Sequence, residues 1–160
     1  MTSDDPMARV TEITIRPLAA DDREAWLPLW QGYLGFYEAH LDPRITENTW
    51  RRLLDPHEPM YGLVADAGQG RLVGILNYVL HANTWSDRPV CYLEDLFVDP
   101  AMRGQGAGRA LIEGLVSLGK GAKWRRVYWM TRSGNTTARA LYDRLASATD
   151  WVRYDIDIPL

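Results

Sequence analysis

The chain is predicted to fold as an α/β domain built on a mixed sheet with helices on both faces, and three observations carry that reading. Short alternating apolar runs in the middle of the chain, two of them joined by a glycine turn, predict an antiparallel meander. The segment 90–131 reads strand, glycine-rich turn, helix, strand, which predicts a parallel right-handed crossover. Helical spacing of apolar residues before the meander and after the crossover completes the order β-α-α-β-β-β-α-β-α-β.

Each element has its own signal. Residues 1–9 read as a loose tail, and 10–160 as one domain. Val10–Leu18 alternates, with Val10, Ile13 and Ile15 set against polar neighbours, and reads as a strand. Ala20–Leu41 carries Trp26, Leu27, Trp30, Tyr33, Leu34 and Tyr37 at helical spacing, with Asp21 and Asp22 suited to its first turn. Asp42-Pro43 breaks it, and Ile45–Leu54 is a short second helix ended by Asp55-Pro56 and Pro59. Met60–Ala65 and Arg71–Leu80 are strands joined by the turn Ala67–Gly70. A polar loop, Asn83–Arg88, leads to the fourth strand, Val90–Val98. Gly106–Leu118 is a helix ended by glycines, Arg125–Thr131 a fifth strand, Asn135–Ala146 a helix and Trp151–Ile158 a last strand.

Composition narrows the function classes. The net charge is −3, which does not favour nucleic acid and mildly favours cationic substrates. Cys91 is the single cysteine, so no internal disulfide and no cysteine-based zinc site can form, and a cytoplasmic setting is expected. His40, His57 and His81 lack metal spacing. The acidic N-terminal segment does not read as a signal peptide, and no apolar run approaches the ~18–20 residues of a membrane span.

The most informative segment is Cys91–Ile112, CYLEDLFVDPAMRGQGAGRALI. A glycine-rich turn that opens a helix presents unpaired N–H groups at the positive end of the helix dipole, a seat for phosphate or pyrophosphate. A P-loop would need Lys-Ser/Thr after the glycines, where Arg109-Ala110 stands. A dinucleotide fingerprint would need its first glycine directly after the strand, where Asp99–Met102 intervene, and an acid about 20 residues on. The pattern Arg/Gln-x-x-Gly-x-Gly/Ala is met by Arg103, Gly106 and Gly108. It resembles the acyl-coenzyme A loop of the GNAT superfamily of N-acetyltransferases. The order of elements over 10–158 is similar to that fold, as are Asp99-Pro100, the Tyr128–Asn135 segment and Leu141-Tyr142. Tyr92–Val98 (YLEDLFV) resembles the diamine (spermidine/spermine) branch and the histone and D-amino-acid branch.

The resemblance implies an enzyme that moves an acetyl group from acetyl-CoA to a primary amine by direct attack in a ternary complex. The acceptor is a polyamine, an amino acid, a lysine side chain or an aminoglycoside. It implies coenzyme contacts from Leu96, Phe97 and Val98, from Arg103, Gly104, Gln105, Gly106, Ala107, Gly108 and Arg109, and from Asn135 and Tyr142. A backbone N–H near Leu96 would stabilise the oxyanion. No metal is expected, and a homodimer is. A catalytically silent acyl-CoA-binding module is the alternative.

Strict alternation puts Tyr92, Glu94, Leu96 and Val98 on one face of the fourth strand and Leu93, Asp95 and Phe97 on the other. Glu94 then reads as the base that deprotonates the amine, matching the diamine branch. Asp95 reads as a structural acid bound to N–H groups or an arginine. Tyr142 has two readings. It belongs to an apolar stripe with Ala138, Leu141 and Leu145, and by resemblance it is the acid that protonates the leaving thiolate. Tyr33, Tyr37 and Trp85 are candidate acceptor-site residues, although Tyr33 and Tyr37 also fit plain core. Lys123, Arg125, Arg126 and Arg132 form a basic patch, either solvated or facing the coenzyme's 3′-phosphate.

Overall fold

A computed structural model describes residues 12–160. The expected tail at 1–9 and the first residues of the expected opening strand, Val10 and Thr11, lie outside the described residues. The chain divides into two compact units, one ending at Trp129 and the other running Met130–Leu160.

The first unit is a five-stranded sheet in sequential order: β1 (Thr14–Pro17), β2 (Met60–Asp66), β3 (Leu72–Asn83), β4 (Ser86–Val98) and β5 (Arg126–Tyr128). β1 to β4 pair antiparallel, and β5 joins β4 parallel through the crossover helix α3 (Ala107–Gly121). α1 (Arg23–Phe36) and α2 (Pro43–Leu53) cover one face. Their Trp26, Leu29, Trp30, Trp50 and Leu53 pack with Ile75 and Phe97. α3 covers the other face, where Leu111 meets Gly74 beside Val98. The mixed sheet with helices on both faces is therefore present.

Local chemistry explains the boundaries. α2 starts where the Asp42 carboxylate accepts the Arg44 N–H (2.9 Å) and Pro43 takes the first helical position. α1 tolerates Pro28 and ends earlier than its apolar periodicity predicts, because Glu38 turns left-handed (φ 52°). The β2–β3 turn closes through Gly68 and Gly70, both at positive φ. β3 and β4 run on to a tight tip at Thr84-Trp85, where a longer polar loop was expected. Arg16 on β1 binds Asp22 through both terminal nitrogens (2.8 Å each) and Asp66 through Nε (3.1 Å), tying the sheet edge to the start of α1.

In the second unit, α4 (Thr136–Leu145) is capped by Asn135, whose side-chain oxygen accepts the Ala138 N–H (3.3 Å). Within the second unit no strand follows α4: residues 147–160 pair with no other part of that unit, and Trp151, Val152, Tyr154, Ile156 and Ile158 are exposed there. Alternation gives such a segment a sticky face, but a strand also needs an edge to bond to.

Candidate active site

The site begins with a one-residue irregularity in β4. Asn77 pairs with Asp95, yet the next residue on β3, Tyr78, pairs with Leu93, so Glu94 is an extra residue. Such a bulge interrupts alternation. Paired residues share a face, so Tyr92 (opposite Val79) and Asp95 (opposite Asn77) lie on the same face, the one under α1. This corrects the expectation of strict alternation, which puts Tyr92 and Asp95 on opposite faces and Tyr92 and Leu96 on the same one. Leu96, opposite Leu76, goes to the α3 face instead.

The bulge gathers acids and aromatics. The Asp95 carboxylate accepts from the Asn77 amide (3.1 Å) and from the Tyr33 hydroxyl on α1. Burial raises the Asp95 pKa, and those two hydrogen bonds partly oppose the rise. Burial also raises the Tyr33 pKa, with further contributions from Asp95, Tyr37 and Glu94. The Tyr33 phenol thus stays protonated and sits within electrostatic reach of both acids. Asp95 pairs with an amide and a phenol where a loop or an arginine was expected. Glu94 is exposed beside it. The Tyr33 ring stacks on Trp30 (5.5 Å) and meets the edge of Tyr37 (5.1 Å), so an aromatic run leads along α1 to the acids.

Downstream, β4 loses its parallel neighbour. Its ladder with β5 ends at Tyr92↔Tyr128, while β4 continues to Val98. The Leu96–Val98 backbone therefore has a sheet edge beyond the end of that ladder. Asp99 then caps a short turn by accepting the Ala101 N–H (3.0 Å), and the chain enters the glycine turn. Gly104 (φ 80°) and Gly106 (φ 83°) are left-handed, and a Cβ at either would meet no protein atom within 4 Å. Arg103 and Gln105 are exposed, and Ala107 is buried as α3 begins. The first α3 amides precede the Ala110 N–H to Gly106 carbonyl bond, so they have no acceptor within the helix. Arg109 is ion-paired to Glu113 (2.7 Å) on the α3 surface. This open turn, with its free first-turn amides, has room and donors for a pyrophosphate.

Other candidates are placed separately. Trp85 stands at the β3–β4 tip with its ring under Arg125 (5.7 Å), nine residues and so about 30 Å of strand from Glu94. Cys91 is fully buried, and burial pushes its thiol up to about 12, so it stays protonated and is no nucleophile. In the second unit, Asn135 spends its oxygen on the helix cap and directs its amide nitrogen to Thr131 (3.4 Å). Tyr142 is half-buried on α4. Among the described residues no three His, Cys, Asp or Glu side chains gather into a metal site, and no helix is long and apolar enough to cross a membrane. Asn77, Tyr92 and Tyr128 escaped the sequence reading. Their involvement depends on strand register, which a single strand's composition does not record.

The model of the acetyltransferase (GNAT) family matches residues 21–146. The chain belongs to the GNAT family. It is 33% identical over 156 residues to D-amino-acid N-acetyltransferase HPA3 of Saccharomyces cerevisiae, covering 96% of this chain and 97% of that one. It is also 28% identical to the uncharacterized N-acetyltransferase YhfO of Bacillus subtilis, over 92% of this chain and 99% of that one. The fold is shared with an aminoglycoside acetyltransferase, AAC(6')-Iy, solved in complex with a bisubstrate CoA analogue. That likeness has a TM-score of 0.75 at 20% identity, over 92% of this chain and 99% of that one. This GNAT protein is an N-acetyltransferase, and its acyl donor is acetyl-CoA.

Proposed function

We propose that this GNAT enzyme acetylates a primary amine by direct attack within a ternary complex, with Glu94 as base and Tyr142 as acid. The observation that carries the reading is β4 itself. Within a few residues it presents the bulged Glu94, a sheet edge past the end of the β5 ladder, and a left-handed glycine turn into α3. The family match crosses the boundary at Trp129, which supports treating 10–160 as one catalytic domain.

Bound acetyl-CoA supplies an activated acetyl thioester. Leu96, Phe97 and Val98 would hold its pantetheine arm by backbone pairing along the β4 edge. The amides from Arg103 through Gly104, Gln105, Gly106, Ala107 and Gly108 to Arg109 would hold its pyrophosphate, with Asn135 as a further donor. The Leu96 N–H would polarise the acyl carbonyl.

An alkylammonium must lose a proton before its nitrogen can attack, and Glu94 takes that proton directly or through one water. Asp95 and the Tyr33 phenol line the same face and favour a cation there before the proton leaves. The assignment of Tyr142 rests on its spacing of seven residues from Asn135. A phenol of ordinary pKa ~10 is a competent donor to a thiolate of ~8.5. The lone, buried cysteine supports a cytoplasmic setting. The exposed apolar stripe at 151–158 supports a homodimer.

Thiol release measured against an amine panel tests the reading. Glu94→Gln is expected to lower kcat by about a hundredfold or more while the KM for acetyl-CoA stays within about threefold. Tyr142→Phe is expected to lower kcat with the same sparing of coenzyme affinity. Full activity in either variant removes that residue from its role.

A further inference from the structure

The acid-bearing face of the sheet continues toward the start of β4, and it changes sign there. Arg126 pairs with Val90, and Tyr128 with Tyr92. Val90 and Tyr92 share the face that carries Asp95, so Arg126 and Tyr128 stand on it too. The Arg126 guanidinium lies over the Tyr128 ring (5.8 Å), and that ring is tilted against Tyr92 (5.0 Å).

Tyr128 is itself held. The His81 Nδ1 lies 2.8 Å from the Ala82 carbonyl oxygen, which can only accept, so Nδ1 carries the hydrogen. The neutral ring then offers a lone pair at Nε2, and the Tyr128 hydroxyl donates to it (2.9 Å). The ring beneath Arg126 is thereby fixed in orientation, and the guanidinium on it is preorganised. Arg16, Arg23, Arg44, Arg52, Arg109 and Arg153 each have a carboxylate partner. Arg126 has none among the described residues, and it is exposed.

An aromatic-backed guanidinium fork matches a carboxylate in geometry and charge. Along β4, Glu94 and Asp95 follow within three residues of Tyr92, whose ring lies against the Tyr128 ring beneath Arg126. This face therefore offers a cation at one end and Asp95, with Glu94 next to it in the strand, at the other, which is the complement of a zwitterion. We propose that Arg126, backed by Tyr128 and His81, is the anion subsite of the acceptor pocket, and that the acceptor is an amine carrying a carboxylate, an amino acid. This rests on the reading of Glu94's face as the acceptor site of an N-acetyltransferase. On that reading the polyamine alternative is excluded, because a polyamine would bring a second cation to Arg126.

The test uses matched acceptors, each as the amino acid, its carboxamide and its decarboxylated amine, in D and L forms where they exist. The native enzyme is expected to favour the carboxylate form by about tenfold or more in kcat/KM, the worth of one charged hydrogen-bonded pair. Arg126→Gln is expected to raise the KM for the amino acid by about tenfold, with kcat and the KM for acetyl-CoA nearly unchanged. It should leave the decarboxylated amine unaffected, so the preference disappears. Arg126→Lys, which keeps the charge but not the fork, should fall between the two. Equal use of carboxylate and decarboxylated acceptors by the native enzyme overturns the subsite and leaves the acetyltransferase reading standing. Equal losses on both acceptors in Arg126→Gln do the same. No acceptor-dependent thiol release with any member of the panel overturns both.

Discussion

Asp22 is almost fully buried and stays ionised. Its hydrogen bonds from Arg16 lower its pKa from the ordinary 3.8, burial opposes them, and the Ala19 N–H adds to the lowering (2.8 Å). A carboxylate whose folded pKa is depressed contributes stability that is present above its unfolded pKa and is lost as pH falls through the folded value. Breaking a fully buried pair costs about 3–5 kcal/mol, but Arg16 is partly exposed and keeps Asp66, so about 2 kcal/mol is expected for Asp22→Asn near pH 7. Urea unfolding checks this. The native protein and the variant should differ by that amount at pH 6 and converge only as pH falls below the ordinary 3.8 and through the depressed folded pKa, where the native carboxylate is protonated as well. A difference that persists unchanged into acid would mean the loss comes from packing and not from charge.

At the scale of elements, the glycine turn can be separated from the helix it opens. A Cβ at Gly106 meets no protein atom, so Gly106→Ala should cost only the strain of its left-handed φ, about 1–2 kcal/mol. Its methyl would project into the open concavity before α3. The expected outcome is a lowered Tm together with a KM for acetyl-CoA raised about tenfold, a mark of lost uniform binding. An unchanged coenzyme KM would place the pyrophosphate elsewhere. The turn is legible in the sequence because its signal is local, and so are the meander and the helix opening at Asn135, whereas Asp42-Pro43 reads as a break before a helix at Ile45 and in fact starts α2. The break in alternation is not legible. Alternation over Tyr92–Val98 puts Tyr92 and Asp95 on opposite faces, and the extra residue at Glu94 that brings them to one face comes from the register between two strands, which neither strand's composition encodes. The length of α1 was misread for a related reason: Tyr37 continues the apolar period, but Glu38 leaves the helical region. Trp85 was judged by loop position, whereas strand pairing carries it to the end of a long hairpin.

The whole molecule raises the question of what covers residues 151–158. Trp151, Tyr154 and Ile156 are 88%, 91% and 87% exposed, and Val152 and Ile158 extend the same apolar run. A monomer in water rarely keeps such a contiguous apolar stretch, and alternating β-branched and aromatic residues that pair with nothing in their own unit invite pairing with another strand. Burying each of these side chains is worth about 1.5–3 kcal/mol, so five contribute on the order of 10 kcal/mol per copy, and a two-fold arrangement counts them twice. Association costs about 4–15 kcal/mol, which leaves a surplus consistent with dimerisation at micromolar concentration or below. Sedimentation equilibrium should therefore return twice the 18.2 kDa chain mass. Tyr154→Asp with Ile156→Asp should return the single-chain mass, because two charges would be buried without partners. Both side chains are exposed within the chain, so the double variant should keep the native circular-dichroism spectrum of the sheet. A native protein that sediments at 18.2 kDa at micromolar concentration would show that a second copy does not cover this segment.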